Sequence, residues 1–165
     1  MKSINNINQL NKSDFLSIFG NVFEKTEWIS EKVFELKPFK DFNDLSSKLL
    51  DLYENCHKEK ILIIFNSHPE LAVAKKMTNE SKLEQAGANL NECSVEEFEE
   101  FKKLNLEYKN KFGFPFIIAV KGKNKTEILN NFRQRILNDV ESEFEEAKKQ
   151  VKKIATFRLN EIINQ

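Results

Sequence analysis

Several groups of residues in this 165-residue chain have types and spacings that could do chemistry. The first is Ser67-His68-Pro69-Glu70-Leu71, directly after the apolar run Ile61-Leu62-Ile63-Ile64-Phe65. Imidazole exchanges a proton near neutral pH without help from its surroundings, so His68 is a candidate general acid–base. Ser67-x-x-Glu70 also fits a capping box, with His68 and Pro69 in a first helical turn. The second group is Ser81, Glu84 and Gln85, which the i, i+3, i+4 spacing puts on one face of a helix. A serine, a carboxylate and an amide together suit a ligand rich in N–H and C=O groups, such as a ureido group. Ser81-x-x-Glu84 is again a capping-box pattern, but that pattern leaves Gln85 unexplained. The third is Arg158, four places beyond Ile154 on a helical stripe that runs Ala147, Val151, Ile154. A guanidinium on a buried stripe must be paired or must hold an anion. The alternative is a side chain snorkelling near a helix C-terminus. The fourth is Phe116-Ile117-Ile118-Ala119-Val120, between Gly113 and Gly122. Extended and unpaired on one edge, it would present backbone groups to a flat heterocycle; otherwise it is a buried connector.

The elements that must position these groups read as helices. Four glycines and three prolines are few for this length and argue against a turn-rich β architecture. Ser13 reads as an N-cap for a short helix over 14–19, stopped near Gly20. Residues 27–34 follow as a second helix with Trp28, Ile29, Val33 and Phe34 inward. Pro38 and Phe39 break the chain. A third helix then starts near Asp41 or Asn43, with Leu45, Leu49, Leu52, Tyr53 and Cys56 at helical spacing. Residues 58–66 could be a strand by composition, since Ile61–Phe65 is β-branched and aromatic, but no comparable partner lies nearby, so they are expected to be a buried helix ending at Ser67. Ser94-Val95-Glu96-Glu97 is a capping box opening a long helix with the stripe Phe98, Phe101, Asn105, Tyr108, Phe112, closed by Gly113. Thr126 is read as the cap of a helix burying Ile128, Leu129, Phe132 and Ile136. The last helix is expected over about 140–163. The fold class is therefore all-α: a single-domain helical bundle over residues 1–165, with about eight helices and one extended connector near 114–121.

Composition narrows the function classes. Lysines and arginines number 26 and aspartates and glutamates 26, so no global field draws in nucleic acid or an anionic membrane. The apolar runs are far too short to span a bilayer. Cys56 and Cys93 are isolated, with no histidine at ligand spacing, so neither a zinc site nor a disulfide framework is expected. The bland expectation is a cytoplasmic domain. Fifteen phenylalanines supply core volume, or else an exposed patch, which keeps a non-catalytic helical interaction module open as an alternative.

Taken together, the segments resemble the OHCU decarboxylases of the urate pathway, which act on 2-oxo-4-hydroxy-4-carboxy-5-ureidoimidazoline. The matching stretches are Ser67-His68-Pro69-Glu70-Leu71-Ala72, Ser81-x-x-Glu84-Gln85-Ala86, the run Phe112-Gly113-Phe114-Pro115-Phe116 with its continuation to Val120, and Asn138-Asp139-x-Glu141. Weaker echoes are Trp28-Ile29-x-Glu31 and Pro38-Phe39. The resemblance implies an all-helical single domain, usually a homodimer, that needs no metal or organic cofactor. It implies a carboxy-lyase that converts the ureidoimidazoline to (S)-allantoin and carbon dioxide. Another ureide-processing enzyme on the same scaffold is the remaining alternative. By the same resemblance His68 is the acid–base residue, with Glu84 and Arg158 completing the catalytic set. The implied substrate contacts are Pro69, Ser81, Lys82, Leu83, Glu84, Gln85, and Phe116, Ile117, Ile118, Ala119 and Val120. Arg158 is then expected to share a pocket with His68. The chain departs from the family with Glu70 where Asp is common, and with Asn89 where the helix after Gln85 commonly ends on Gly.

Overall fold

The computed structural model describes residues 2–73 and 77–165. Among these residues the chain forms helices and no strand, as the scarcity of turn residues implies. In chain order the helices are α1 (Ile4–Gln9), α2 (Lys12–Phe19), α3 (Glu27–Phe34), α4 (Phe42–Glu54) and α5 (Lys58–Asn66). These are followed by α6 (Asn79–Gly87), α7 (Val95–Phe112), α8 (Lys125–Arg135) and α9 (Val140–Asn164). No described helix is long and apolar enough to cross a membrane. The chain divides into two compact units, one of residues 1–67 with 152–165, the other of residues 68–151. The element beyond the sequence expectation is α1, whose short run Ile4-Asn5-Asn6-Ile7-Asn8-Gln9 carries little periodic signal.

In the first unit α3 packs against both α2 and α4. Phe15 is the hub, with ring centroids 4.8 Å from Phe19, 5.4 Å from Phe34 and 6.0 Å from Phe39. Ile29, Val33, Leu45, Leu49, Tyr53, Ile61, Ile64 and Phe65 complete a core with no measurable exposure beyond 1%. The helical reading of residues 61–65 holds: Ile61, Ile64 and Phe65 face inward while Ile63 is 63% exposed. One polar clamp ties α1 into place. The Asn8 side chain donates to the Phe39 carbonyl and accepts from the Phe39 N–H, both at 2.8 Å.

The second unit is built on α7, which packs against α8. Tyr108 sits among Phe112, Phe116 and Phe132, at 4.5, 5.4 and 5.8 Å, and Phe116 stacks on Phe132 at 3.9 Å. The Ser94–Glu97 capping box forms, and Gly113 ends α7 with φ 80, a left-handed value that glycine adopts without strain. The α7 stripe is buried from Phe101 to Phe112, whereas Phe98 in the first turn is 39% exposed. Residues 115–120 form neither helix nor strand, as the proline and flanking glycines imply, and Phe114 to Val120 are buried throughout.

Some expected caps shift to neighbouring polar residues. Asn11 rather than Ser13 caps α2, and Asn124 rather than Thr126 caps α8. Neither Ser67 nor Ser81 is the N-cap of a described helix. Ser67 is the C-cap of α5, its hydroxyl donating to the Ile63 carbonyl. Thr78 caps α6, which puts Ser81 inside the helix. The end of α6 resolves the Asn89 departure. The Leu90 N–H donates to the Gln85 carbonyl and the Asn89 N–H to the Ala86 carbonyl, a Schellman pair that needs a left-handed residue. Asn89 supplies it at φ 61, since asparagine tolerates that region better than other side-chain-bearing residues.

Candidate active site

His68, Pro69 and Glu70 are half-buried and lie in a turn between α5 and the residues leading to α6. The turn is shaped by the residues after it. Ala72 is 8% exposed and adopts φ 55, a conformation that costs a non-glycine residue roughly 1–2 kcal/mol. It is held there by Gln85 of α6. The Gln85 Oε1 accepts from the Ala72 N–H at 3.1 Å, and Nε2 donates to the Glu70 carbonyl at 3.3 Å. Nε2 also lies 3.2 Å from the Met77 sulfur. Between these points the Leu71 carbonyl accepts from Asn105 Nδ2 of α7 at 3.0 Å. Gln85, expected to meet a ligand, thus spends both ends of its amide on the backbone that follows His68.

Helix α6 sorts its other residues by face. Ser81 and Gln85 are buried, Glu84 is half-buried, and Lys82 and Leu83 point outward, Leu83 at 74% exposure. A cavity of about 670 Å³ in this unit is lined by Ala72, Met77, Lys82, Gln85, Leu90 and Phe98, with Cys93 at its wall. Burial pushes the Cys93 thiol up, and Glu97 adds to the shift, so the thiolate is disfavoured and Cys93 is a poor nucleophile.

The connector is held along one edge. The Ile117 carbonyl accepts from Arg135 Nη1 at 2.7 Å, and the Ala119 N–H donates to Gln150 Oε1 at 2.9 Å. Arg135 also lies over the Phe116 ring at 4.3 Å. Its charge is met by Glu143, fully buried, with Nε 2.8 Å from Oε1. Nη2 lies 2.6 Å from the same oxygen, without hydrogen-bond alignment. Tyr108 Oη and Asn138 Nδ2 donate to the same carboxylate at 2.5 and 3.0 Å. Burial, and then Glu143, push the Tyr108 phenol far up, so it remains a neutral donor. The Ile117 carbonyl and the Ala119 N–H are thus committed to protein.

Arg158 belongs to the first unit, and the structure supplies the partner its stripe position demands. Nη2 donates to Glu24 Oε2 at 2.8 Å and Nη1 to the Asn21 carbonyl at 2.9 Å, with Arg158 4% and Glu24 0% exposed. His68 belongs to the second unit.

Sequence reasoning passed over Glu24, Arg135, Glu143 and Gln150, and placed Asn105 on the α7 stripe without giving it a role. The signal that singled out Arg158 could have found four of them. Asn105 falls on the α7 stripe, Arg135 three places after Phe132, Glu143 four before Ala147, and Gln150 three after it. Each is a polar residue where the period demands an apolar one. Glu24 lies in a loop outside any periodic pattern.

The class this defines is an all-α protein with a half-buried histidine in a turn braced by buried amides, and a non-helical segment held by a buried ion pair. The chain belongs to the OHCU decarboxylase family, whose model matches residues 8–160. It is 36% identical over its whole length to the uric acid degradation bifunctional protein of Bacillus sp. (strain TB-90), of which it spans 33%. It is 33% identical to the 2-oxo-4-hydroxy-4-carboxy-5-ureidoimidazoline decarboxylase of Haloferax volcanii, covering 96% of this chain and 95% of that one. A solved OHCU decarboxylase in the presence of (S)-allantoin has the same fold, with TM-score 0.73 at 22% identity, covering 94% of this chain and 100% of that one. The chain spans about a third of the length of the Bacillus relative.

Proposed function

We propose that this protein is a carboxy-lyase that converts 2-oxo-4-hydroxy-4-carboxy-5-ureidoimidazoline to (S)-allantoin and carbon dioxide. The observation that carries the reading is the family match over residues 8–160, which includes the half-buried His68 in its braced turn. The substrate's own chemistry explains why acid–base groups suffice. When the bond from C4 to the carboxylate breaks, the electron pair moves into a C4–C5 double bond. The ring imine is the electron sink, and its nitrogen takes a proton. The C4 hydroxyl then becomes a carbonyl as C5 is protonated, so one proton is taken up for each carbon dioxide released. The face on which C5 receives its proton sets the configuration of the product.

His68 moves that proton, as base toward the hydroxyl or as acid toward C5. Glu84 and Ser81 hold the ureido group, with Pro69, Lys82 and Leu83 completing the α6 side. The backbone of residues 116–120 reads the ring edge. Gln85 serves the same site by setting the backbone after His68. A homodimer in the cytoplasm belongs to the same proposal, and sedimentation of the purified protein tests the dimer.

The test is to generate the ureidoimidazoline in situ from urate and follow the circular dichroism of allantoin. The wild-type protein should speed the one-handed signal, and His68→Ala should lose on the order of a hundredfold or more in rate. Near-normal turnover and handedness in His68→Ala would show the assignment to be wrong.

A further inference from the structure

Asn105 is 3% exposed on a stripe whose other buried members are Phe101, Leu104, Tyr108 and Phe112. Its Nδ2 donates to the Leu71 carbonyl, and its Oδ1 is buried with no hydrogen-bond partner among the described residues. Burying an amide costs free energy, so for folding alone an apolar residue would serve better here. The return on the amide is local. Glu70, Leu71 and Ala72 are gripped in succession by Gln85, Asn105 and again Gln85. The grip ends on an alanine at φ 55. Strained backbone of this kind persists only where the surroundings over-determine it. Pro69 adds stiffness at the start of the same stretch, because its ring restricts φ.

We propose that Asn105 is a positioning residue: through the Leu71 carbonyl it fixes the backbone that aims His68. The inference rests on the reading of His68 as the acid–base group. Asn105 touches no reacting atom. It acts by holding Leu71, as Gln85 holds the residues on either side, and the pair approach the turn from α7 and α6 respectively. A misplacement of about 1 Å at a reacting group can cost on the order of a hundredfold, which sets the scale of the effect.

The experiment compares wild type, Asn105→Ala, Asn105→Asp and Leu104→Ala, the last removing buried volume from α7 next to Asn105 while keeping the Asn105 amide. Kinetics are read well below each melting temperature. Asn105→Ala should lower kcat on the order of ten- to a hundredfold with a smaller change in KM, while Leu104→Ala stays near the wild-type kcat. Asn105→Asp supplies a donor to Leu71 only when protonated, and burial raises a carboxyl pKa. Its kcat relative to wild type should therefore rise as pH falls.

A readout independent of activity comes from the two histidines. In proton NMR, Asn105→Ala and Asn105→Asp should displace the His68 ring signal and its titration curve and leave those of His57 in place. An unmoved His68 signal, a wild-type-like kcat in Asn105→Ala, or a pH-independent Asn105→Asp ratio would each overturn the inference. Should Asn105→Ala fail to fold, Asn105→Asp decides. A wild-type protein without decarboxylase activity would instead refute the proposed function, and the NMR comparison would still judge the positioning of His68.

Discussion

The turn at residues 68–72 and the connector at residues 114–120 are both irregular backbone in one compact unit, yet they are held by different chemistry. The turn is gripped by two neutral amides, Gln85 and Asn105, and keeps His68 half-buried. The connector is gripped by a buried cation and the amide of Gln150, and every residue from Phe114 to Val120 is buried. A neutral amide exerts a directional hold with little long-range field, so it can shape a turn without strongly biasing the charge of a nearby imidazole. A buried guanidinium must bring its own carboxylate, and Glu143 with Tyr108 and Asn138 is the result. The amide bonds to residues 70–72 are thus neutral, whereas the hold on residues 117 and 119 includes a buried guanidinium and the carboxylate that accompanies it.

Substitutions should separate the two devices. The largest loss is expected from Glu143→Ala, which leaves Arg135 buried and uncompensated. Stability should fall by about 3–5 kcal/mol in chemical denaturation, and a smaller loss than Gln85→Ala causes would break the comparison. Gln150→Ala comes next, since it leaves the Ala119 N–H buried without its acceptor. About 1–3 kcal/mol is expected, with His68 titrating as in wild type. Ala72→Gly should act in the opposite direction on stability, relieving φ 55 for a gain of up to about 1–2 kcal/mol. Glycine also loosens the turn, so activity should fall while the melting temperature rises.

The smallest effect concerns pH. The Ser94 N–H, and then Lys125, hold the Glu97 carboxyl below its ordinary value. A lowered pKa contributes stability that is present above the unfolded value, roughly 4.3, and is lost as pH falls through the folded one. The first turn of α7 should therefore fray in acid, seen as faster amide exchange over residues 95–98. Glu97→Gln should remove most of that pH dependence. Equal fraying in both proteins would show that the capping carboxylate is not the cause.

Much of the fold was legible in the sequence because helices are written in local periodicity and caps. The Ser94–Glu97 box, the Gly113 stop and the non-helical run after it appear where they were read, and family membership follows from motifs that span most of the chain. The apparent capping boxes at Ser67 and Ser81 show the limit of local reading. Each pattern is satisfied on paper, but Ser67 ends α5, and Thr78 reached the start of α6 first. Gln85 shows it again. Its spacing put it on one helix face with Ser81 and Glu84, yet spacing could not reveal that its amide would close on Ala72 and Glu70.

Taken alone, the sequence determined most of the helical segments and most of their inward faces, and it offered His68 as a candidate to move a proton. Tertiary structure decided the partners of the polar residues on buried stripes: Leu71 for Asn105, Ile117 and Glu143 for Arg135, Ala119 for Gln150, Glu24 for Arg158. The physical reason is range. A period of 3.6 residues assigns a side chain to a face through local geometry. The atom it meets there comes from a segment many residues away, and only the packing of the whole unit brings it.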